Sequence, residues 1–469
     1  MMIMPREILE NQIRKILAAI QSDNDRDEVA HLLDTIKRYL LEVWEIECDS
    51  IEYLQPNHLR FNLQKIPLSP SIANELYRRI QLLSEYQFAS ANRVSDLLLA
   101  GINSQKQLLL TQRQVAFLNI LNESPEINLG VLAREIGSTQ RTLKREKNVL
   151  FDEHGVHIAS AINPHCFRLI HYYADFQAAS SSALHNFENW LRFNNQSRDK
   201  FPFLLGFVFE VDQQRGFFTL YVPNQQNHLL AFQKSITQLK DQFLEYVNVH
   251  RVLGYYVNTS FVWYDWGSRQ WTLKADLHTV GTLQFIIEHG DQFPQPRGFL
   301  YGSKPIKFDS TDWIIAASNT GFPLANAELC NFLARHGYHI TKKSIFAQEL
   351  MLKKTGALFP HLAFSALAFN DFLYCFIICS QQSYKILLQI IEQFPFSRFH
   401  PTENGAILVF GIPQEGPSFV KHLTQTFLHL PGIKDFTILR CEQDIPLVPN
   451  PSTVYLWNAE TQLWTDAKK

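Results

Sequence analysis

The chain repeats itself. Leu132, Leu143 and the aromatic segment FVWYDWGSRQWT (261–272) return as Leu329, Ile345 and TVYLWNAETQLWT (453–465). The spacing is about 190 to 200 residues throughout. A repeat of that length carries more than one supersecondary unit, so the chain reads as a duplication. Whatever one half folds into, the other must approximate.

The best-marked stretch of the first half is INLGVLAREIGSTQRTLKREKNVLFDEHGVHI, 127–158. Asn128 is placed to cap a short helix, because its side-chain oxygen can accept a bond from an orphan helix N–H. Leu132 and Ile136 share one face of that helix. Gly137 supplies the left-handed residue that ends it, and Ser138 is read as the cap of the next. In the second helix Leu143 and Leu150 point inward. Thr139, Gln140, Arg141, Lys144, Arg145 and Asn148 cover the outward face, and Gly155 breaks the chain before the alternating Val156 and Ile158. A helix from Thr111 to Leu121 precedes the unit. This is the pattern of a winged helix-turn-helix whose basic second helix suits a major groove.

Downstream, periodicity gives strand, helix, strand, strand, helix, strand. The strands are Phe167 to Phe176, Phe203 to Val211, Phe217 to Val222 and Asn248 to Asn258. The helices are Ser181 to Phe193 and Asn224 to Tyr246. That order is the ferredoxin-like split βαβ arrangement. After a connector the order starts again: helices from Asp312, Ala325 and Thr341, then strands and helices from Phe372 to Cys441. The expected fold class is α+β. It comprises tandem winged helix-turn-helix plus ferredoxin-like (βαββαβ) domains behind an N-terminal mixed helical and strand region. The expected boundaries are 1–106 for the N-terminal module and 107–160 for winged helix 1. Ferredoxin-like domain 1 with its hairpin takes 161–275, and the connector 276–307. Winged helix 2 takes 308–364, and ferredoxin-like domain 2 with the C-terminal hairpin 365–469. The two sheets are expected to pack face to face, since each has an apolar face without a partner.

Composition narrows the function. Of 469 residues 46% are hydrophobic and 36 are Phe, so the cores should be aromatic-rich. The formal net charge is −2, so any DNA contact must come from local patches rather than a global field. Six scattered cysteines form no CxxC pair, which argues for reduced core thiols in a cytoplasmic protein. Cys375 and Cys379 should share one strand face. The N-terminus carries early charges and no long apolar core, unlike a signal peptide, and no run is long enough to span a bilayer.

Each half resembles a protein of the Lrp/AsnC (feast/famine) family. In the second half FDSTDWII is similar to that family's LDxxDxxIL helix, AELCNFL to its ELAxxL helix, and LPGIKDFTILR to its IPGV segment. In the first half INLGVLAREIGSTQRTLKRE carries the likeness. It covers roughly two-thirds of the chain. The resemblance implies a DNA-binding transcription regulator, no enzyme and no cofactor. Its ferredoxin-like domains would pair as two subunits do and hold an amino-acid-like effector between them. The partners implied are double-stranded DNA, such an effector and a homodimer mate. The chain departs from the family by joining two units covalently, by adding the N-terminal region and hairpins, and by a long turn, Ala334 to Ile340, in the second helix-turn-helix.

The expected DNA contacts follow from position in the recognition helix. Thr139, Gln140 and Arg141 should face bases, and Lys144 and Arg145 the phosphates. Lys342, Lys343 and Ser344 hold the equivalent turn of the second copy. Two other readings compete. One is a winged-helix scaffold for another protein. The other is a tetrapyrrole enzyme, because NTGFPLANAEL (319–329) is similar to a stretch of sirohaem decarboxylases. For that reading His361 is the single near candidate among the Arg and His residues that propionates need. His336 and His339, and likewise His154 and His157, read as surface histidines. Trp263, Trp266, Trp271, Trp457 and Trp464 read as cross-strand packing in the two hairpins.

Overall fold

The computed structural model describes residues 6–20, 23–43, 70–86, 94–95, 98, 110–152, 156–193, 201–210, 214–259, 261, 264–268, 270–271, 297–302, 304–320, 326–335, 337–364, 369, 371–392, 394–412, 416–441, 449 and 451–465. The strands expected at 46–54 and 58–66, and His154, Trp263 and His336, lie outside these residues.

Helices α1 (Arg6–Ala19), α2 (Asp23–Val43) and α3 (Pro70–Tyr86) form the N-terminal module. Their apolar stripes, including Leu9, Ile16, Leu33, Ile36, Leu76 and Ile80, are fully buried. They do not form a separate core. The same cluster takes in Phe203 and Leu205 of the first half, whose strand α3 packs against, and Trp313, Ile314 and Ile315 of the second, so the module's core is continuous with both halves.

The first helix-turn-helix comprises α4 (Gln112–Glu123), α5 (Leu129–Glu135) and α6 (Gln140–Asp152). Thr111 and Gln114 close a capping box at the start of α4. Asn128 caps α5 as expected, accepting from Gly130 N at 2.7 Å. Gly137 has φ +65°, where a side chain would be strained. The cap of α6 is Thr139 and not Ser138. Ser138 N donates instead to Ala133 O at 2.8 Å, while Thr139 Oγ1 accepts from Thr142 N at 3.2 Å. The left-handed glycine delays the start of α6 by one residue, because its turn uses Ser138 to satisfy the preceding helix.

Strand β1 (Val156–Ile162) follows, then β2 (Leu169–Ala178), α7 (Ser181–Phe193), β3 (Leu204–Phe209), β4 (Arg215–Pro223), α8 (Gln226–Gln242) and β5 (Leu244–Arg251). The antiparallel sheet runs β3-β4-β2-β5, the ferredoxin-like order. The strand expected over 248–258 is in fact two. It breaks after Arg251, and β6 (Gly254–Thr259) crosses into the sheet of the other half. Leu253 N donates to Pro401 O at 2.7 Å at the crossing. Gly254 is needed there, since a Cβ would lie 2.8 Å from Phe299 O.

The short hairpin β7 (Tyr264–Asp265) and β8 (Gln270–Trp271) precedes β9 (Arg297–Leu300). The second helix-turn-helix comprises α9 (Ser310–Ser318), α10 (Asn326–Arg335) and α11 (Lys342–Lys354). Strand β10 (Leu358–Phe364) leads into β11 (Asp371–Cys379), α12 (Gln381–Glu392), β12 (Phe396–Thr402), β13 (Gly405–Ile412), α13 (Gly416–His429) and β14 (Ile433–Cys441). The sheet order is β14-β11-β13-β12, extended by β6 and β9. A second hairpin, β15 (Trp457–Asn458) and β16 (Leu463–Trp464), ends the chain.

Each wing strand packs on its own helices, but among the described residues neither pairs with a strand of its own half. Instead β1 pairs antiparallel with β10 over its whole length, from Val156↔Phe364 to Ile162↔Leu358. Each half thus supplies one strand of a shared ribbon.

Two-residue alternation then decides the packing. Ala174, Phe176 and Phe218 face α7 and α8, while Tyr173 and Phe217 face the other way. In the second half Leu373, Cys375, Ile377 and Cys379 face α12 and α13, while Tyr374 and Phe376 face outward from that layer. The two remaining faces meet, with Phe217 and Tyr374 at 4.4 Å between ring centroids and Phe217 and Phe376 at 5.8 Å. Glu210 pins the junction, accepting from Arg215 Nε at 2.8 Å and from the backbone N–H of Arg440 at 3.2 Å. The halves therefore pack sheet to sheet within one chain.

Three hairpin tryptophans, Trp271, Trp457 and Trp464, are packing residues. Trp457 stacks on Phe308 at 3.8 Å, Trp464 meets Trp313 edge-on at 5.3 Å, and Trp464 Nε1 donates to Phe167 O at 2.8 Å. Trp271 is buried against Phe261 and Tyr264; Trp266, at the hairpin tip, is exposed.

Candidate functional site

Helix α6 is held from within by Leu143 and Leu150, both fully buried. Thr139, Gln140, Arg141, Lys144 and Arg145 are all exposed, as the sequence pattern requires. Among the described residues Arg141, Lys144 and Arg145 have no ion-pair partner, so their charge faces solvent. The side chain of Gln140 lies across the start of α5, where a Cβ on Gly130 would come within 2.6 Å of its Nε2. Gly130 thus leaves room for the two helices to meet at the turn. Thr139 serves the cap, with its hydroxyl 2.9 Å from that of Thr142.

The second copy is built on the same cap and presents another surface. Thr341 accepts from Ser344 N at 3.1 Å, and the two hydroxyls lie 2.9 Å apart. Ser344, expected to touch DNA, therefore has its hydroxyl engaged in the cap. Lys342 and Lys343 are exposed in the first turn. Aligning the caps sets Phe346 at the place of Lys144, Ala347 at Arg145 and Leu350 at Asn148. Phe346 is 61% and Leu350 42% exposed. Lys353 is drawn off the outer face by Glu349 at 2.7 Å and by Glu126 of the first half. The turn expected from Ala334 to Ile340 starts later, because α10 continues through Arg335; Gly337 is left-handed at φ +84°, and Tyr338, His339 and Ile340 precede the cap.

A buried polar cluster lies where the two sheets and the β1–β10 ribbon converge. His171 and Tyr173 come from β2, Arg398 and His400 from β12, Tyr255 from β6 and His361 from β10. Ring centroids of His400 lie 5.3 Å from Tyr173, 5.4 Å from Tyr255 and 6.1 Å from His171. Tyr255 and His361 are 5.7 Å apart. The tautomer of His171 can be deduced. Thr219 Oγ1 donates to Tyr172 O at 3.1 Å, so at its 2.9 Å contact with His171 Nε2 it must accept. His171 therefore carries its proton on Nε2, and Nδ1 accepts from the Tyr301 hydroxyl at 3.4 Å.

Burial holds these histidines neutral. Loss of hydration lowers His171 to about 3. It lowers His361 to about 4, helped by the neighbouring charges of His157, Arg398 and Arg297. His400 falls well below the ordinary value, first through burial and then through Arg398 and His171. A backbone carbonyl lies near two of the rings, that of Gly254 by His400 and that of Phe359 by His361. Even so, neither Nδ1 reaches hydrogen-bond geometry with any described residue. His157, expected on the surface, is buried in β1, because that strand is half of a ribbon and not a free wing. Of this cluster the sequence singled out only His361. Its members come from five strands, counting Thr219 on β4, and no spacing connects them. The local signals were the pairs His171/Tyr173 and Arg398/His400, two apart on alternating strands. Among the described residues no three His, Cys, Asp or Glu side chains are grouped to hold a metal ion.

No protein-family model matches the sequence, and no curated protein matches it either. Some solved structures are partly similar to it. The siroheme decarboxylase NirDL is 13% identical, with a TM-score of 0.42 over 73% of this chain and 97% of that one. The transcriptional regulator NMB0573 of Neisseria meningitidis, solved with L-Met, is 16% identical with a TM-score of 0.24, over 31% of this chain and 90% of that one. PH0061 is 12% identical with a TM-score of 0.21, over 30% and 92%. The likeness concerns the fold alone: an α+β chain of helix-turn-helix and ferredoxin-like units. It corrects one expectation. The reading that the chain is no enzyme does not stand, because the fold it shares is also that of a decarboxylase. No helix among the described residues is long and apolar enough to cross a membrane.

Proposed function

We propose that this chain is a DNA-binding regulator in which one polypeptide does the work of a two-subunit assembly. The observation that carries the reading is the outer face of α6. It presents Gln140, Arg141, Lys144 and Arg145 to solvent, on a rigid apolar spine, beyond an ordered turn. Gln140 and Arg141 occupy the first turn, the part of a recognition helix that reaches base edges; Lys144 and Arg145 follow, where phosphates lie. Arginine pairs with guanine through two bonds, so Arg141→Ala should cost about 1–3 kcal/mol on a preferred site and blunt the preference there. Competition between preferred and random duplexes, wild type against Arg141→Ala, tests this. Equal discrimination by both proteins counts against base reading by α6.

A second reading is favoured by the cluster around His171, His361 and His400. His361 and His400 each keep an Nδ1 outside hydrogen-bond geometry, and with Arg398 beside them and tyrosines around them they suit a small ligand carrying carboxylates, whether effector or substrate. Thermal shift with carboxylate-bearing ligands, amino acids and porphyrins included, tests it. Stabilisation of the wild type that disappears in His361→Gln is the expected result; a flat response to the whole panel removes the reading.

A further inference from the structure

The duplication preserves the frame and changes what it displays. Both recognition helices start from the same cap, Thr139 with Thr142 and Thr341 with Ser344. The ribbon pairs β1 with β10 residue for residue, so the two helix-turn-helix units hang from matched strands. A homodimer in this frame would present two identical helices, and its operator would be a palindrome. Here the outer faces differ at the positions that matter for DNA. The first offers Gln140, Arg141, Lys144 and Arg145. The second offers Lys342, Lys343, Phe346, Ala347 and Leu350, with Phe346 and Leu350 largely exposed.

Resting on the DNA-binding reading, we propose that the chain reads a non-palindromic duplex made of two unlike half-sites. Helix α6 reads its half by hydrogen bonds from Gln140 and Arg141 to purine edges. Helix α11 holds the other half through Lys342 and Lys343 on phosphates and through Phe346 against thymine methyls. Two observations and one chemical argument favour duplex DNA as the occupant of the α11 face. Two exposed lysines flank the apolar pair at its N-terminal end, and Lys354 is exposed at the other. The one acidic side chain of the helix, Glu349, is tied to Lys353. An apolar side chain in a major groove has a chemical target, because the thymine C5-methyl is the groove's apolar feature.

The test is selection of bound sequences from a random duplex pool at low salt with the full chain, followed by affinity measurements on the selected site. The expected motif has two different halves about one helical turn apart. In Arg141→Ala one half should lose its information while the other keeps it, and in Phe346→Ala the reverse. Replacing thymine by uracil in the α11 half removes only methyl groups. It should weaken wild-type binding roughly fourfold per methyl contacted, while leaving Phe346→Ala unaffected. Phe346 is exposed, so the variant should fold, and its unfolding midpoint checks that. A palindromic motif, or indifference to uracil in both halves, overturns the inference while leaving DNA binding intact. Absence of binding to any duplex at low salt overturns the DNA reading and this inference with it.

Discussion

Phe217→Ala is expected to destabilise the protein by about 3–5 kcal/mol, the range for deleting a buried phenylalanine ring. Phe217 is fully buried where the sheets of the two halves meet. Its ring touches Tyr374 and Phe376 across the junction and Tyr173 beside it. Backbone around it is committed on both sides, through β2 and β3, so the site cannot collapse to refill the space. The loss should appear as a lower urea midpoint. Leu428→Ala is the matched control: that leucine is 68% exposed on α13 and its removal should stay within about 0.5 kcal/mol. A loss below about 1 kcal/mol for Phe217→Ala would mean that the halves do not share a core.

Stability should also fall steeply as pH drops below the ordinary histidine range. In the folded chain His171 titrates at about 3 and His361 at about 4, and His400 is well below the ordinary value. Unfolded, each would titrate near 6.5. Between those values the unfolded chain binds protons that the folded chain refuses, so the stabilisation is full above pH 6.5 and is lost progressively below it. At about 1.4 kcal/mol per unit, His171 alone is worth on the order of several kcal/mol across that window. Asp312 works the other way. Burial raises its carboxyl to about 6, so the folded state takes up a proton there first and gains stability as pH falls toward 4. Burial also lowers His165 and raises Glu210, so four histidines against two carboxyls leave the net effect destabilising. Denaturation at a series of pH values, with His171→Gln beside the wild type, measures it. The variant should show a shallower decline; equal slopes would mean that His171 is not neutral in the folded chain.

Much of this architecture was legible. The repeat, the cap at Asn128, the left-handed Gly137 and the inward Leu143 and Leu150 are local features, and local sequence dictates them. The βαββαβ order followed from periodicities of two and of 3.6. What was not legible depends on long-range pairing. That β1 finds β10, and that β6 leaves its own sheet for the other half's, is decided by partners about 140 to 210 residues away, which no window reveals. The buried histidines follow from those pairings. His157 looked like a surface residue because a wing strand ordinarily has one open side, and here the second strand covers it. On α11 the apolar Phe346 and Leu350 were visible as letters, but only the exposure of the folded helix shows that they face outward.

The central claim is that the cations of α6 meet DNA. The direct measurement is the salt dependence of binding to genomic fragments, wild type against Lys144→Ala/Arg145→Ala. Each phosphate contact removed takes about one unit from the slope of log affinity against log salt. Measurable binding by the wild type is expected at low salt, with a slope shallower by about two in the double variant. Both side chains are exposed, so the fold should be unchanged. Equal slopes, or no wild-type binding at the lowest salt, would contradict it.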